Sequence, residues 1–220
     1  MPQPAAFELY AFWRTSATYR VRVALHLKGL SAQEHFVNPD AGETRSAEYL
    51  RLNPMAAIPT FVVPGQLPIT QSLAILEFLE EYQPEPALLP RELHARARVR
   101  SICNMLAADT HPLVTPRVRR YLSAEAGFDD ARWRAWQQQW FGTGLAALEQ
   151  RLVAEQRSGR FCDGDAVTMA DVVLASIIAV MRVFRIDTPN TPTIDRIVAN
   201  CDAIDAFSKA APHRQPGAPA

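Results

Sequence analysis

From residue 7 onward apolar and polar positions alternate over "FELYAF", recur at helical spacing over "SATYRVRVALHLKG", and alternate again over "AQEHFV". This pattern predicts a strand, a helix with Val21, Ala24, Leu25 and Lys28 on one face and Gly29 as its stop, and a second strand. A strand, crossover helix and strand of this length make a parallel, right-handed βαβ unit. A short helical stretch follows near "SAEYLRLN", and "IPTFVVPGQLPIT" reads as two brief strands joined at Pro64-Gly65. "QSLAILEFLEEY" closes the series as an amphipathic helix.

The pattern then changes. "QPEPALLPRE", residues 83 to 92, carries three prolines that cannot continue a helix, and beyond it only helical spacing is found. The expected organisation is therefore an α/β domain over 1–84, a linker over 85–92 and an all-α domain over 93–220. In the second part, "RELHARARVRSICNMLAADTHPLVTPRVRRYL" has a long apolar stripe interrupted at His111-Pro112 and again at Pro116, which predicts a kink or restart. "DDARWRAWQQQWFGTGLAALEQRLVAEQ" places Trp133, Trp136, Trp140 and Phe141 at helical spacing as core and interface filler. "DAVTMADVVLASIIAVMRVF" opens with Thr168 three residues before Asp171, a capping-box spacing with Asp in place of Glu or Gln. Two shorter helices, near "TIDRIVANC" and "IDAFSKAA", precede a tail, "PHRQPGAPA", expected to fray.

Composition narrows the function. With 220 residues and 48% hydrophobic content the chain builds a substantial core. The formal net charge is zero and no long run of like charge occurs, which argues against a nucleic-acid partner. All 23 basic residues except Lys28 and Lys209 are arginine, a skew read mostly as base composition. Cys103, Cys162 and Cys201 are odd in number and far apart, and the five histidines form no helical pair, so unbridged thiols and no metal are expected. The start lacks the features of a signal peptide and no apolar run is long enough for a membrane span, which points to a soluble, cytoplasmic protein.

The chemistry concentrates where strands hand over to helices. At "WRTSATYRVRVAL" the hydroxyls of Thr15, Ser16 and Thr18 stand at or before the first helical turn. Ser and Thr there satisfy the orphan amides of a helix start, and the same amides, with the helix dipole, also receive an anion. The junction "LPITQSLAIL" repeats the device with Gln71 and Ser72, and the topology puts both helix starts at the same edge of the sheet. A ligand with more than one charged group fits such a pair. Before the strand "TFVV", a cis peptide at Ile58-Pro59 would turn the backbone outward toward a ligand.

Together these features resemble the glutathione transferase family, with a thioredoxin-like N-terminal domain, a linker and an all-helical C-terminal domain. The resemblance spans nearly the whole chain. "RTSATYRVRVALHLKGL" looks like the zeta-class signature, in which a serine-rich run and an aromatic precede "RVRIAL" and "KG". "NPMAAIPTF" is similar to the segment leading to the cis-proline, and "ITQSLAILEFLEE" to the Gln-Ser segment that holds the glutamyl end of glutathione. "DTHPLVTPRVRRYL" resembles the stretch in which His-Pro is followed by a substrate-facing arginine, and "DAVTMADVVL" the family's capping box.

Zeta-class enzymes of this kind isomerise maleylacetoacetate or maleylpyruvate, in the breakdown of aromatic amino acids or aromatic acids. The resemblance thus implies glutathione as a cofactor whose thiolate adds to the cis double bond of a dicarboxylate, permits rotation, and is released with the fumaryl product. It implies Thr15 as the hydroxyl donor to the thiolate, with Ser16 assisting, and Ile58, Pro59, Gln71 and Ser72 as the glutathione-binding set. Arg14, Arg117 and Arg182 would hold the substrate carboxylates, Arg14 over the reacting carbon, because a planar guanidinium forks onto a carboxylate. Arg20 and Arg22 read as structural, pairing with acids at a domain or subunit boundary. Ala56 and Ala57 stand where the family commonly has a glutamine, which weakens the expected contact to the glycine end. A homodimer is also implied. Two alternatives share the fold, a general transferase or dehalogenase acting on electrophiles and a non-catalytic protein-binding module.

Overall fold

The computed structural model describes residues 7–219 and divides into two compact units. One contains the chain up to Ala87 together with the segment from Ile204 onward, and the other runs from Leu88 to Ala203. The division at Ala87 falls inside the proline-rich segment.

In the first unit β1 (Phe7–Ala11), α1 (Ser16–Leu27) and β2 (Ala32–Phe36) form the expected βαβ unit, with β1 and β2 parallel. After α2 (Ala47–Leu52), β3 (Thr60–Val62) and β4 (Ile69–Thr70) make an antiparallel hairpin, and α3 (Ser72–Tyr82) follows. The strand order is β2-β1-β3-β4, with β3 antiparallel to β1, so β4 runs in the same direction as β1. Leu9, Phe61, Val21, Ala24, Ile75, Leu76 and Leu79 are fully buried and make the core on which α1 and α3 lie.

Lys28 ends the apolar face of α1 and is itself buried. Its ammonium donates to Glu80 Oε2 (2.5 Å), to the Pro86 carbonyl (2.8 Å) and to the Pro84 carbonyl (3.4 Å), tying α1, α3 and the start of the linker together. A compact ammonium with three donors suits three oxygens converging on one point.

The second unit contains α4 (Leu93–Asn104), α5 (Pro116–Ala126), α6 (Asp130–Glu155), α7 (Met169–Phe184) and α8 (Pro192–Asp202). Between α4 and α5 the expected break is longer than Pro112 alone requires, with a π-helical stretch over Met105–Thr110 and a 3-10 turn over His111–Val114. The Thr110 hydroxyl donates to the Met105 carbonyl inside that stretch, and Gly144 of α6 passes so close that a Cβ there would strike Thr110. Widened helix turns commonly occur where a side chain enters the ladder or where function requires it. α7 buries 12 of its 16 residues and is the central helix of this unit. On α6, Trp133 and Phe141 are buried, while Trp136 and Trp140 stack edge-on and Trp136 donates its indole N–H to the Leu113 carbonyl.

Two expectations require correction. The last residues do not belong with the helical unit. α9 (Asp205–Ala210) covers α1, with Phe207 fully buried and the Tyr19 hydroxyl donating to its carbonyl (3.5 Å), because Tyr19 and Val23 give α1 a second apolar face. Nor does the described part of the tail fray, since Pro212–Arg214 forms a 3-10 turn, Pro212 is buried, and Gly217 approaches the ring of Phe36.

Candidate active site

Sheet register fixes where the first unit presents its chemistry. Tyr10 lies opposite Thr60, and Thr60 opposite Thr70, so one row across three strands marks one end of the sheet. Beyond that row β1 leads to Thr15 and α1, β4 leads to Gln71, Ser72 and α3, and β3 is entered from Ile58-Pro59. Three chain junctions far apart in sequence therefore converge. The Ile58-Pro59 peptide is cis, as expected, and Ile58's N–H and carbonyl pair with no described residue.

Both helix starts at this end lack caps. Thr15 stands at the N-cap position of α1 with extended backbone, yet its hydroxyl makes no bond to the helix amides. It donates instead to Thr18 Oγ1 (2.6 Å), with the Phe12 carbonyl at 3.4 Å. The expectation that a hydroxyl caps α1 is thus corrected, because Thr18, one turn on and fully buried, competes for it. Gln71, at the N-cap of α3, makes no cap bond either, and its φ of 72° and ψ of 114° are rarely adopted by a non-glycine residue. Such strain, costing about 1–3 kcal/mol, tends to gather at ligand sites.

Comparison with the other helices sharpens the point. α2, α4 and α6 are capped by Ser46, Glu92 and Asp129, α7 by its capping box, and α8 and α9 carry Asp195 and Asp205 in their first turns. Among the described α-helices, α1, α3 and α5 alone have neither a side-chain cap nor an acid in the first turn. These three carry Ser16, Ser72 and Arg117. Unsatisfied amides and the positive end of the dipole favour an anion at such ends.

Around the row, several supports are visible only in three dimensions. Arg20, 2% exposed, donates from Nη1 to Ser72 Oγ (3.1 Å) and joins the starts of α1 and α3. Arg22 forks onto Glu34 of β2 at 2.8 and 2.7 Å. Arg22 therefore pairs with an acid inside the first unit, not at the boundary expected of it, and Arg20 meets Ser72 in that same unit. The loop before Pro59 is held by the Tyr49 hydroxyl and the Asn53 amide, each donating to the Ala57 carbonyl at 2.7 Å. Burial pushes the Tyr49 hydroxyl's pKa up, which keeps it a donor. Sequence reasoning named Thr18 among the junction hydroxyls but not its pairing with Thr15, and it missed Tyr49, Asn53 and the role of Arg20. Of these only the Thr15–Thr18 pair, three residues apart, left a spacing that could have revealed it.

The predicted arginines have distinct settings. Arg14, half-buried beside Thr15, pairs with Asp40 (2.5 Å), with the rings of Phe12 and Trp13 about its guanidinium. The side chain of Arg117, exposed in the first turn of α5, makes no hydrogen bond or ion pair with any described residue. Arg182, near the end of α7, is exposed and pairs with Asp202 (2.9 Å) in a cleft of about 490 Å³ that Asp187 and Asp195 also line. Elsewhere in the second unit Asp171 is buried, accepting from the N–H of Cys162 and from the N–H and hydroxyl of Thr168. Burial raises its pKa against those bonds.

A thioredoxin-like unit with uncapped helix starts beside a cis-proline, followed by an all-helical unit, has the architecture of a glutathione transferase, and the N-terminal domain of glutathione S-transferases matches residues 5–81. A probable maleylacetoacetate isomerase of Vibrio cholerae is 37% identical over 212 residues, covering 96% of this chain and 97% of that protein. A maleylpyruvate isomerase of Ralstonia is likewise 37% identical, over 95% of this chain and 98% of its own. Among solved structures, a maleylacetoacetate isomerase of Methylobacterium extorquens with bound malonate and glutathione superposes with a TM-score of 0.94 at 46% identity, covering 97% of this chain and all of that one. The chain belongs to the zeta-class glutathione transferases, the family of maleylacetoacetate and maleylpyruvate isomerases. No described helix is long and apolar enough to cross a membrane.

Proposed function

We propose that the protein is a glutathione-dependent cis-trans isomerase of a maleyl dicarboxylate, maleylacetoacetate or maleylpyruvate, and that the three junctions at the end of the sheet hold the glutathione. The observation that carries this reading is the pairing of two uncapped helix starts with the backbone of Ile58, which pairs with no described residue. That donor set suits an extended tripeptide bearing a thiolate and terminal carboxylates.

In this reading the N–H and carbonyl of Ile58 bind the cysteinyl part, with Pro59 setting their direction. Gln71 and Ser72 take the glutamyl end at the start of α3. When bound, glutathione supplies a thiolate that adds to the cis double bond and leaves after rotation. Thr15 donates its hydroxyl to the sulfur, and Ser16 with the first amides of α1 assists. A hydrogen bond to a charged acceptor contributes about 1.5–3 kcal/mol and a helix start about 0.3–1. Lowering a thiol pKa from about 8.5 by one unit takes about 1.4 kcal/mol, so these groups suffice.

Arg14 and Arg117 hold the substrate's carboxylates, and Arg182 serves as a third binder that must leave or share Asp202. Arg14 immediately precedes the hydroxyl donor Thr15, and its planar guanidinium is suited to fork onto a carboxylate. Malonate, bound with glutathione in the Methylobacterium relative, is a dicarboxylate and supports this assignment. The protein acts in the cytoplasm as a homodimer, within aromatic amino-acid or aromatic-acid breakdown. The deciding experiment incubates purified protein with maleylacetone or maleylpyruvate, with and without glutathione, and follows loss of the cis substrate. Absence of glutathione-dependent isomerisation overturns the reading.

A further inference from the structure

We infer that Arg20 is a positioning residue for the glutamyl carboxylate of glutathione, acting through the hydroxyl of Ser72. The inference rests on the reading that the first unit binds glutathione, and it assigns a role to a residue that the sequence alone places with the structural arginines.

The argument is one of hydrogen-bond polarity. A guanidinium donates only, and stays charged at any ordinary pH. Where Arg20 Nη1 meets Ser72 Oγ at 3.1 Å, the serine oxygen is therefore the acceptor. A hydroxyl has one proton, and that of Ser72 is thereby directed away from α1. Ser72 is the first residue of α3, whose first turn has no side-chain cap and no acid. The hydroxyl proton and the unsatisfied amides of that turn are thus offered together, and the Arg20 charge, 2% exposed, stands behind them shielded from salt and water. A buried cation, a hydroxyl with fixed polarity and a bare helix start form a receptor for one carboxylate. Gln71, with its strained backbone, sets the direction in which α3 begins.

The test measures binding of glutathione, and of an analogue lacking the glutamyl α-carboxylate, by calorimetry with wild type, Arg20→Met, Arg20→Lys and Ser72→Ala. Wild type is expected to prefer glutathione by about 10-fold or more, the scale of one charge-assisted hydrogen bond. Arg20→Met should lose that preference while binding the analogue as wild type does, and Arg20→Lys should recover part of it. Equal weakening toward both ligands would make Arg20 structural only and overturn the inference. Should Arg20→Met fail to fold, Arg20→Lys and Ser72→Ala are combined. A double variant no weaker than Ser72→Ala alone supports transmission through the hydroxyl, and additive losses overturn it. Lack of glutathione binding by the wild type would instead defeat the underlying assignment.

Discussion

The hydroxyls of Thr15 and Thr18 lie 2.6 Å apart, across one turn of α1. Thr15 has the position of a helix cap but points along the helix toward its neighbour, leaving the first amides uncapped. The arrangement keeps a hydroxyl and a helix start available together. If Thr15 turns its proton to a thiolate, as proposed, Thr18 can donate to the vacated Thr15 oxygen, so the pair reorients without leaving a buried hydroxyl unsatisfied.

Removing this donor should raise the pKa of the bound thiol. Thr15→Ala combined with Ser16→Ala is expected to raise it by about 1–2 units, the equivalent of a lost charge-assisted bond, whereas Thr15→Ser should be nearly neutral. Titration of the thiolate's ultraviolet absorbance in the glutathione complex measures it. An unshifted pKa would assign thiolate stabilisation to the backbone amides.

Arg14→Ala should lower turnover of the maleyl substrate by about 10- to 100-fold while glutathione affinity persists, because the substrate carboxylate loses a charge-assisted bond. The Arg14–Asp40 pair is partly exposed, so its loss should cost under about 1 kcal/mol of stability. Steady-state kinetics beside a thermal melt separates these effects, and unchanged turnover removes Arg14 from the catalytic set.

Arg182 is assigned a carboxylate while paired with Asp202. Asp202→Asn should therefore release it and lower the substrate KM by a few-fold, and Arg182→Ala should raise it. A KM indifferent to both substitutions assigns Arg182 to the α7–α8 ion pair alone.

Lys28→Met is expected to destabilise the protein by about 3–5 kcal/mol, since it leaves Glu80 buried without its cation. Adding Glu80→Gln should restore part of the loss. Denaturant unfolding measures both, and full stability of the single variant would show that the linker needs no such clamp.

Cys103, Cys162 and Cys201 are all buried, and burial raises the thiol pKa of Cys162 and Cys201. A disulfide reagent should find no thiol in the native protein and three after unfolding. The folded state holds the protons of these two thiols more tightly than the unfolded chain, where a thiol titrates near 8.5. Stability is therefore fully present below about pH 8.5 and declines above it, by up to about 1.4 kcal/mol per pH unit for each thiol. Constant stability between pH 8 and 10 would contradict this.

What the sequence determined was local or periodic. Alternating and helical spacing located the strands and helices, prolines 84, 86 and 90 marked the division, and the Thr15-Ser16 and Gln71-Ser72 junctions were visible because each is a contiguous strand-to-helix turn. The cis-proline junction was legible as a motif. The tertiary structure decided how hydrogen bonds are shared among neighbours, which depends on atoms brought together from distant positions. Thr18 takes the hydroxyl expected to cap α1, Arg20 reaches Ser72 across 52 positions, and Asp40 and Asp202 occupy two of the predicted carboxylate binders. It also carried α9 back onto α1, because the second apolar face of that helix needs cover that spacing alone does not assign to a particular segment.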